Sequence, residues 1–135
     1  MTGLVVCVAV LAVASAFGLV QRRRSGRMKV RQGEAALGAA QLGEELGERA
    51  TLVQFSSAFC APCRATRRVL GEVAEMVPGV VHVEIDAEER LDLVRELGVL
   101  KTPTVLVLDA AGRIVRRAIG QPRKADVIAA LGEAV

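Results

Sequence analysis

The chain has 135 residues and a formal net charge of +3, but six of its 18 Lys and Arg fall between residues 22 and 31, leaving 12 against 15 Asp and Glu elsewhere. The basic balance is therefore a local feature beside an apolar segment and not a nucleic-acid-binding surface. Three cysteines and one histidine leave too little for a four-ligand structural zinc site, because Cys7 lies far away inside an apolar run and His82 is the only imidazole.

Thr2 to Val20 carries no charge and is dominated by Val, Ala and Leu; as a helix it would be about 28 Å long, which matches a bilayer core. Residues 2–21 are read as a transmembrane helix. Arg22, Arg23, Arg24, Arg27, Lys29 and Arg31 follow at once, with no Lys or Arg on the N-terminal side. By the positive-inside rule this places the N-terminus outside and the rest of the chain in the cytoplasm, anchored to the cell membrane by a single pass. A cleaved signal peptide is the competing reading, since Ala14-Ser15-Ala16 resembles a cleavage site; the missing basic n-region and the dense basic block after it speak against this. Cys7 reads as a packing or lipid-facing thiol. Residues 22–48 are read as a basic juxtamembrane segment and linker, with Leu42 and Leu46 at helical spacing near its end. Residues 49–135 are the folded domain.

Within that domain, Thr51 to Ser56 is a short apolar strand, and Ala61 to Val77 follows as an amphipathic helix with Val69, Leu70, Val73, Met76 and Val77 on its apolar side. Pro78-Gly79 stops the helix. Val80 to Asp86 alternates Val81, Val83 and Ile85 against His82 and Glu84, so His82 is a strand residue on the opposite face and not a catalytic one. Ala87 to Leu97 is a helix closed by Gly98, with Leu91, Val94 and Leu97 on one side. Thr104 to Asp109 is a central strand, Asp109 to Gly112 a turn, and Arg113 to Ile119 the second arm of a hairpin, with Arg116 and Arg117 on an exposed edge that discourages strand addition. Val127, Ile128, Leu131 and Val135 form the stripe of a last helix. Strand, helix, strand, helix, hairpin and helix make an α/β sandwich with a mixed sheet, and roughly 85 residues suffice for one independently folding domain.

Cys60-Ala61-Pro62-Cys63 stands between the first strand and its helix. The first turn of a helix leaves backbone N–H groups without partners and carries a partial positive charge, which stabilises a thiolate at Cys60. A thiolate is both the better nucleophile and the better leaving group. Cys63, nearly one turn on, is close enough to attack a mixed disulfide formed by Cys60, while Pro62 stiffens the bend without removing a needed donor. Haem attachment would require His at position 64, where the chain has Arg64. Two small buried residues without chemistry remain the plain alternative.

From about Thr51 to its end the chain resembles the thioredoxin family: Phe55 in the strand, Phe59 before the cysteine pair, Asp86 ending the next strand, Thr102-Pro103-Thr104, and Gly120 before the last helix. The resemblance implies a thioredoxin-like α/β sandwich with a mixed central sheet flanked by helices. It implies catalytic Cys60 and Cys63, an apolar lip at Phe59 and Pro62, and a cis Pro103 whose neighbour Thr102 pairs with the bound substrate chain. A plain trans-proline turn is the alternative at Pro103. It further implies a protein-disulfide reductase acting on protein disulfide or dithiol substrates, supplied by an upstream thiol electron donor, without metal or organic cofactor. Two positions depart from the family: Gln54 stands where a buried Asp is common, and a neutral amide cannot accept the proton of the resolving cysteine; Phe59 replaces the usual Trp and loses its indole donor. Both departures point to specialised partners. An exported oxidant or maturation factor, and a redox-responsive binding module without turnover, are the alternative functions.

Overall fold

The computed structural model describes residues 1–24, 28–30 and 36–135. The basic residues Arg27 and Arg31, and the linker positions 32–35, lie outside the described residues. The uncharged N-terminal run forms α1 (Thr2–Arg24), and its residues Thr2–Arg23 are long and apolar enough to cross a membrane, with none of that surface buried against the rest of the chain. β1 (Met28–Val30) follows. α2 (Ala39–Leu42) is a single turn closed by Gly43 in the left-handed region.

The folded unit is built on β2 (Ala50–Ser56), whose seven residues are all buried. α3 (Ala61–Met76) returns the chain so that β3 (Val80–Asp86) pairs parallel to β2. α4 (Leu91–Leu97) then leads to β4 (Thr104–Asp109), antiparallel to β2 on its other side. A turn at Gly112 opens β5 (Ile114–Ile119), antiparallel to β4, and α5 (Lys124–Ala134) ends the unit. The strand order is β1-β5-β4-β2-β3. One parallel and several antiparallel pairings make the sheet mixed, as expected from the order of the elements.

Period-two alternation sends each strand's side chains to two separate cores. On one face Val53, Phe55, Val83, Ile85, Leu106 and Leu108 pack with Leu93 and Leu97. On the other, Leu52, Val105 and Val107 pack with Leu70 and Val73 of α3 and with Val127 and Leu131 of α5. A sheet covered on both faces has no water to satisfy its polar atoms, so every buried one needs a protein partner.

Several expectations change on contact with this packing. The linker reading of residues 22–48 meets a core that includes Leu37 and Leu42, and Leu37 N–H donates to the Gly112 carbonyl at 2.9 Å. Gly112 has φ +85°, and a Cβ there would stand 2.0 Å from the Leu37 oxygen, so this approach requires glycine. β5 is no exposed edge, because β1 pairs with it in the register Lys29 to Arg117. Arg117 is only 4% exposed, and its guanidinium donates to the carbonyls of Leu97 and Gly98, closing the C-terminal end of α4. Arg116 pairs with Glu133 instead of facing open solvent alone. In α4 the buried residues are Leu93 and Leu97, with Leu91 exposed. Val81, Met76, Ile128 and Val135 are exposed too, and Ala130 takes the buried place in α5 that the stripe assigned to Ile128. In each case the apolar side is set by what covers the element and not by the most hydrophobic stripe.

Replacing Leu106 with Ala should therefore cost about 2–5 kcal/mol in urea denaturation of the full chain in detergent. Ile128→Ala, in the predicted stripe but 41% exposed, should stay within about 0.5 kcal/mol of the parent.

Candidate active site

The register Phe55 to Thr104 in the β2 and β4 pair places the loop leaving β2 beside the loop entering β4. The residues 57–60 and 101–103 meet there. The Ser57 and Thr102 hydroxyls lie 2.8 Å apart in a hydrogen bond, and the Thr102–Pro103 peptide is cis. The Pro103 carbonyl accepts from Gly120 N–H at 2.8 Å, which ties the end of β5 to the same corner. Thr104 Oγ1 donates to the Lys101 carbonyl at 2.6 Å. The sheet register thus assembles a rigid corner from segments more than 40 residues apart in sequence.

Cys60 caps α3, and the N–H of Cys63 donates to the Cys60 sulfur at 3.2 Å. This places the Cys60 sulfur on the unpaired donors of the first helical turn. The two cysteines are joined as a disulfide, with Cα atoms 5.2 Å apart. Their surroundings differ: Cys60 is half-buried, whereas Cys63 is 1% exposed. One cysteine is partly open to solvent and the other is enclosed. Pro62 is exposed in the first turn, and its carbonyl accepts from Thr66 Oγ1 at 2.8 Å. Phe59 has φ +56° and is 105% exposed. A bulky residue in the left-handed region carries roughly 1–3 kcal/mol of strain, and here it holds the ring out in solvent next to Cys60.

Behind the cysteines lies a polar network that sequence reasoning did not find. Gln54 is fully buried at the centre of β2. Its amide nitrogen donates to the Cys63 carbonyl at 2.8 Å and to Ser56 Oγ at 3.0 Å. Its amide oxygen lies 3.1 Å from His82 Nε2 on β3. Ser56 in turn donates to Glu84, whose carboxylate accepts from both Nε and Nη2 of Arg67 on α3. His82 is on the opposite face from Val83 and Ile85, as the alternation indicated, but that face is the one α3 covers. The signal available in the sequence was the spacing of Gln54 and Ser56, and of His82 and Glu84, each pair two apart and so on one face. What sequence could not supply was the register of β2 against β3, which pairs Gln54 with Glu84 and Leu52 with His82.

The charges respond to this packing. The Arg67 hydrogen bond holds Glu84 below the usual carboxylate range, against the opposing effect of burial. Burial pushes His82 below its ordinary value; Glu84 and Glu44 favour its charged form, and Arg67 disfavours it.

Three comparisons with known proteins bear on this site. A family model described as Thioredoxin matches residues 37–133, which leaves α1 outside the match. The thioredoxin of Alicyclobacillus acidocaldarius subsp. acidocaldarius is 34% identical over 88 residues, covering 64% of this chain and 83% of that protein. The putative thioredoxin H10 of Arabidopsis thaliana is 33% identical over 69 residues, covering 51% of this chain and only 44% of that protein. Among solved structures, the thioredoxin NaTrxh of Nicotiana alata superposes with a TM-score of 0.57 at 28% identity, covering 64% of this chain and 74% of its own.

A histidine whose folded pKa is depressed binds its proton more readily in the unfolded chain, so its contribution to stability is complete above pH 6.5 and is lost as the pH falls through the folded value. The depressed Glu84 acts likewise, but only below 4.5. Stability of the full chain should therefore decline as the pH falls below 6.5, and His82→Gln should flatten that arm while leaving the more acid one in place, as read by denaturation midpoints across pH.

Proposed function

Because this chain belongs to the thioredoxin family, as a redox protein carrying the Cys60–Cys63 pair, we propose that it is a membrane-tethered thiol–disulfide oxidoreductase that reduces disulfides of protein substrates. The observation that carries this reading is the asymmetry of the pair: the half-buried Cys60 at the start of α3, with its sulfur on a backbone N–H, and the buried Cys63 one turn behind it.

In the dithiol state, the Cys60 thiolate attacks one sulfur of a substrate disulfide, forming a mixed disulfide and releasing the other substrate sulfur as a thiolate that takes up a proton. Cys63 then loses its proton and attacks Cys60, which closes the Cys60–Cys63 bond and releases the second substrate thiolate. Two electrons pass to the substrate, and an upstream dithiol donor returns them. Phe59 and Pro62 supply an exposed apolar lip, and Thr102 and Pro103 supply the platform on which the substrate chain lies. The order of events follows from exposure, since only Cys60 is open to a protein-sized partner.

α1 serves in this reading as a single-pass anchor, with the basic cluster Arg22, Arg23 and Arg24 on the cytoplasmic side and the thiol domain in the cytoplasm. Residues 2–21 form the span, and the segment after it joins the span to the thioredoxin domain. A reducing compartment keeps thiols reduced, which makes reduction of substrates the working direction.

Cys63→Ser should accumulate mixed disulfides between Cys60 and its partners, visible as adducts that a reductant removes, and Cys60→Ser should form none and lose disulfide reduction altogether. If Cys63→Ser traps nothing while Cys60 is shown to be reduced and exposed, exchange chemistry is refuted. A reporter that works only after export, fused behind Val135, should stay silent; activity would place the domain outside and reverse the expected electron flow.

A further inference from the structure

The step left without an electrostatic partner is the ionisation of Cys63. A thiol titrates near 8.5, and burial in apolar surroundings raises that value, yet Cys63 must become a thiolate to attack Cys60. The position behind it holds the neutral Gln54. From the hydrogen bonds around Gln54, we propose that His82 is the positioning residue of Cys63, holding a proton while Cys63 is a thiolate and so supporting a thiolate–imidazolium pair across the Gln54 amide. This rests on the exchange reading given above.

The geometry fixes the direction of each bond. A backbone carbonyl only accepts, so the Gln54 nitrogen must face Cys63 and its oxygen must face His82. His82 Nε2 therefore carries hydrogen in both charge states, and the proton comes and goes at Nδ1 without breaking the bridge. When His82 is charged, its bond to the Gln54 oxygen becomes charge-assisted, and the polarised amide donates more strongly to the Cys63 backbone carbonyl, drawing charge away from that residue. A second hydrogen on the same nitrogen is already committed to Ser56 Oγ, so the amide cannot turn away.

The charged groups that face His82 are Glu84 on its own strand, Arg67 on α3 and Glu44 before β2. Arg67 and Glu84 are paired with each other, and burial disfavours the charged imidazole despite Glu84 and Glu44. Formation of the Cys63 thiolate adds a further negative charge that favours it. The proton balance closes: the Cys63 S–H bond breaks, one proton is taken up at His82 Nδ1 through solvent, and the net protonation is unchanged. The thiolate then bonds to Cys60, the bond from Cys60 to the substrate breaks, and the departing substrate thiolate takes the proton that His82 released.

The test reads Cys63 ionisation without any substrate. In the full chain carrying Cys7→Ala and Cys60→Ala, in detergent, Cys63 is the remaining thiol, and its rate of alkylation by iodoacetamide is followed across pH. An isolated thiol loses tenfold in rate for each pH unit below its pKa. The thiolate–imidazolium pair has the same protonation as the neutral pair, so it should add a plateau on the acid side. Near pH 6 the parent should react roughly tenfold faster than its His82→Gln variant, which should keep the plain slope. Gln54→Leu should lose the plateau as well. His82 is the only histidine, so its NMR titration in the parent must coincide with the acid limit of the plateau, a condition that holds even if a variant fails to fold. A plain slope in the parent, a plateau that survives His82→Gln, or a mismatch with the imidazole titration would each overturn the proposal. A plateau in a chain that traps no partners would leave this coupling standing and refute the exchange reading instead.

Discussion

β2 is buried at every one of its seven positions and is paired on both sides, parallel to β3 and antiparallel to β4. A strand so enclosed can leave no backbone or side-chain polar atom to water. Its ends become the fixed points of the molecule: the chain must exit beside the entry of β4, and the helix that follows must fold back over one face to reach β3. The position of Cys60 and Cys63 at the start of α3, and of Pro103 at the start of β4, both follow from that enclosure. The same constraint turns Gln54 into a structural requirement, because an amide at the centre of a dry sheet needs partners for both hydrogens and for its oxygen. Cys63, Ser56 and His82 supply them.

What could be read from the sequence was what depends on period and punctuation. The apolar run before the cysteines, the alternation of Val83 and Ile85, the stop at Pro78-Gly79 and the turn at Gly112 each follow from local chemistry, and they suffice for the order of elements and the mixed sheet. The corner of Thr102 and Pro103 was legible through the family resemblance. The features that escaped depend on neighbours. Arg117 reads as an edge charge until β1 pairs alongside it and the α4 carbonyls arrive to accept its hydrogens. Leu91 and Leu93 are equally apolar, and only the placement of α4 over the sheet decides that Leu93 is inside. His82 was correctly placed on its face, but a strand pattern cannot say whether that face meets water or another helix.

The site divides its polar and apolar demands between two sides of one helix turn. Toward solvent, the fully exposed Phe59 in a left-handed conformation and the exposed Pro62 surround a half-buried sulfur. Toward the interior, the backbone carbonyl of Cys63 begins a chain of hydrogen bonds that ends in the Arg67 and Glu84 pair at the surface. The exposed pair contributes little to stability on its own, but it gives the inner network a terminus that needs no further partner. Every link inward is then a group that does not titrate, except the half-buried His82.

β1 has a further consequence through its position in the sheet. With α1 ending at Arg24 and β1 beginning at Met28, the chain between them can reach at most about 14 Å, far less than a free segment from residue 22 to 48 would allow. In the sheet β1 is one edge and β3, four strands away, the other, about 19 Å across. Under the tether proposed above, so short a leash would confine the Cys60 sulfur to a thin layer over the membrane. Partners embedded in the same membrane would then meet it by lateral diffusion at high local concentration, while those in bulk solution would first have to enter that layer.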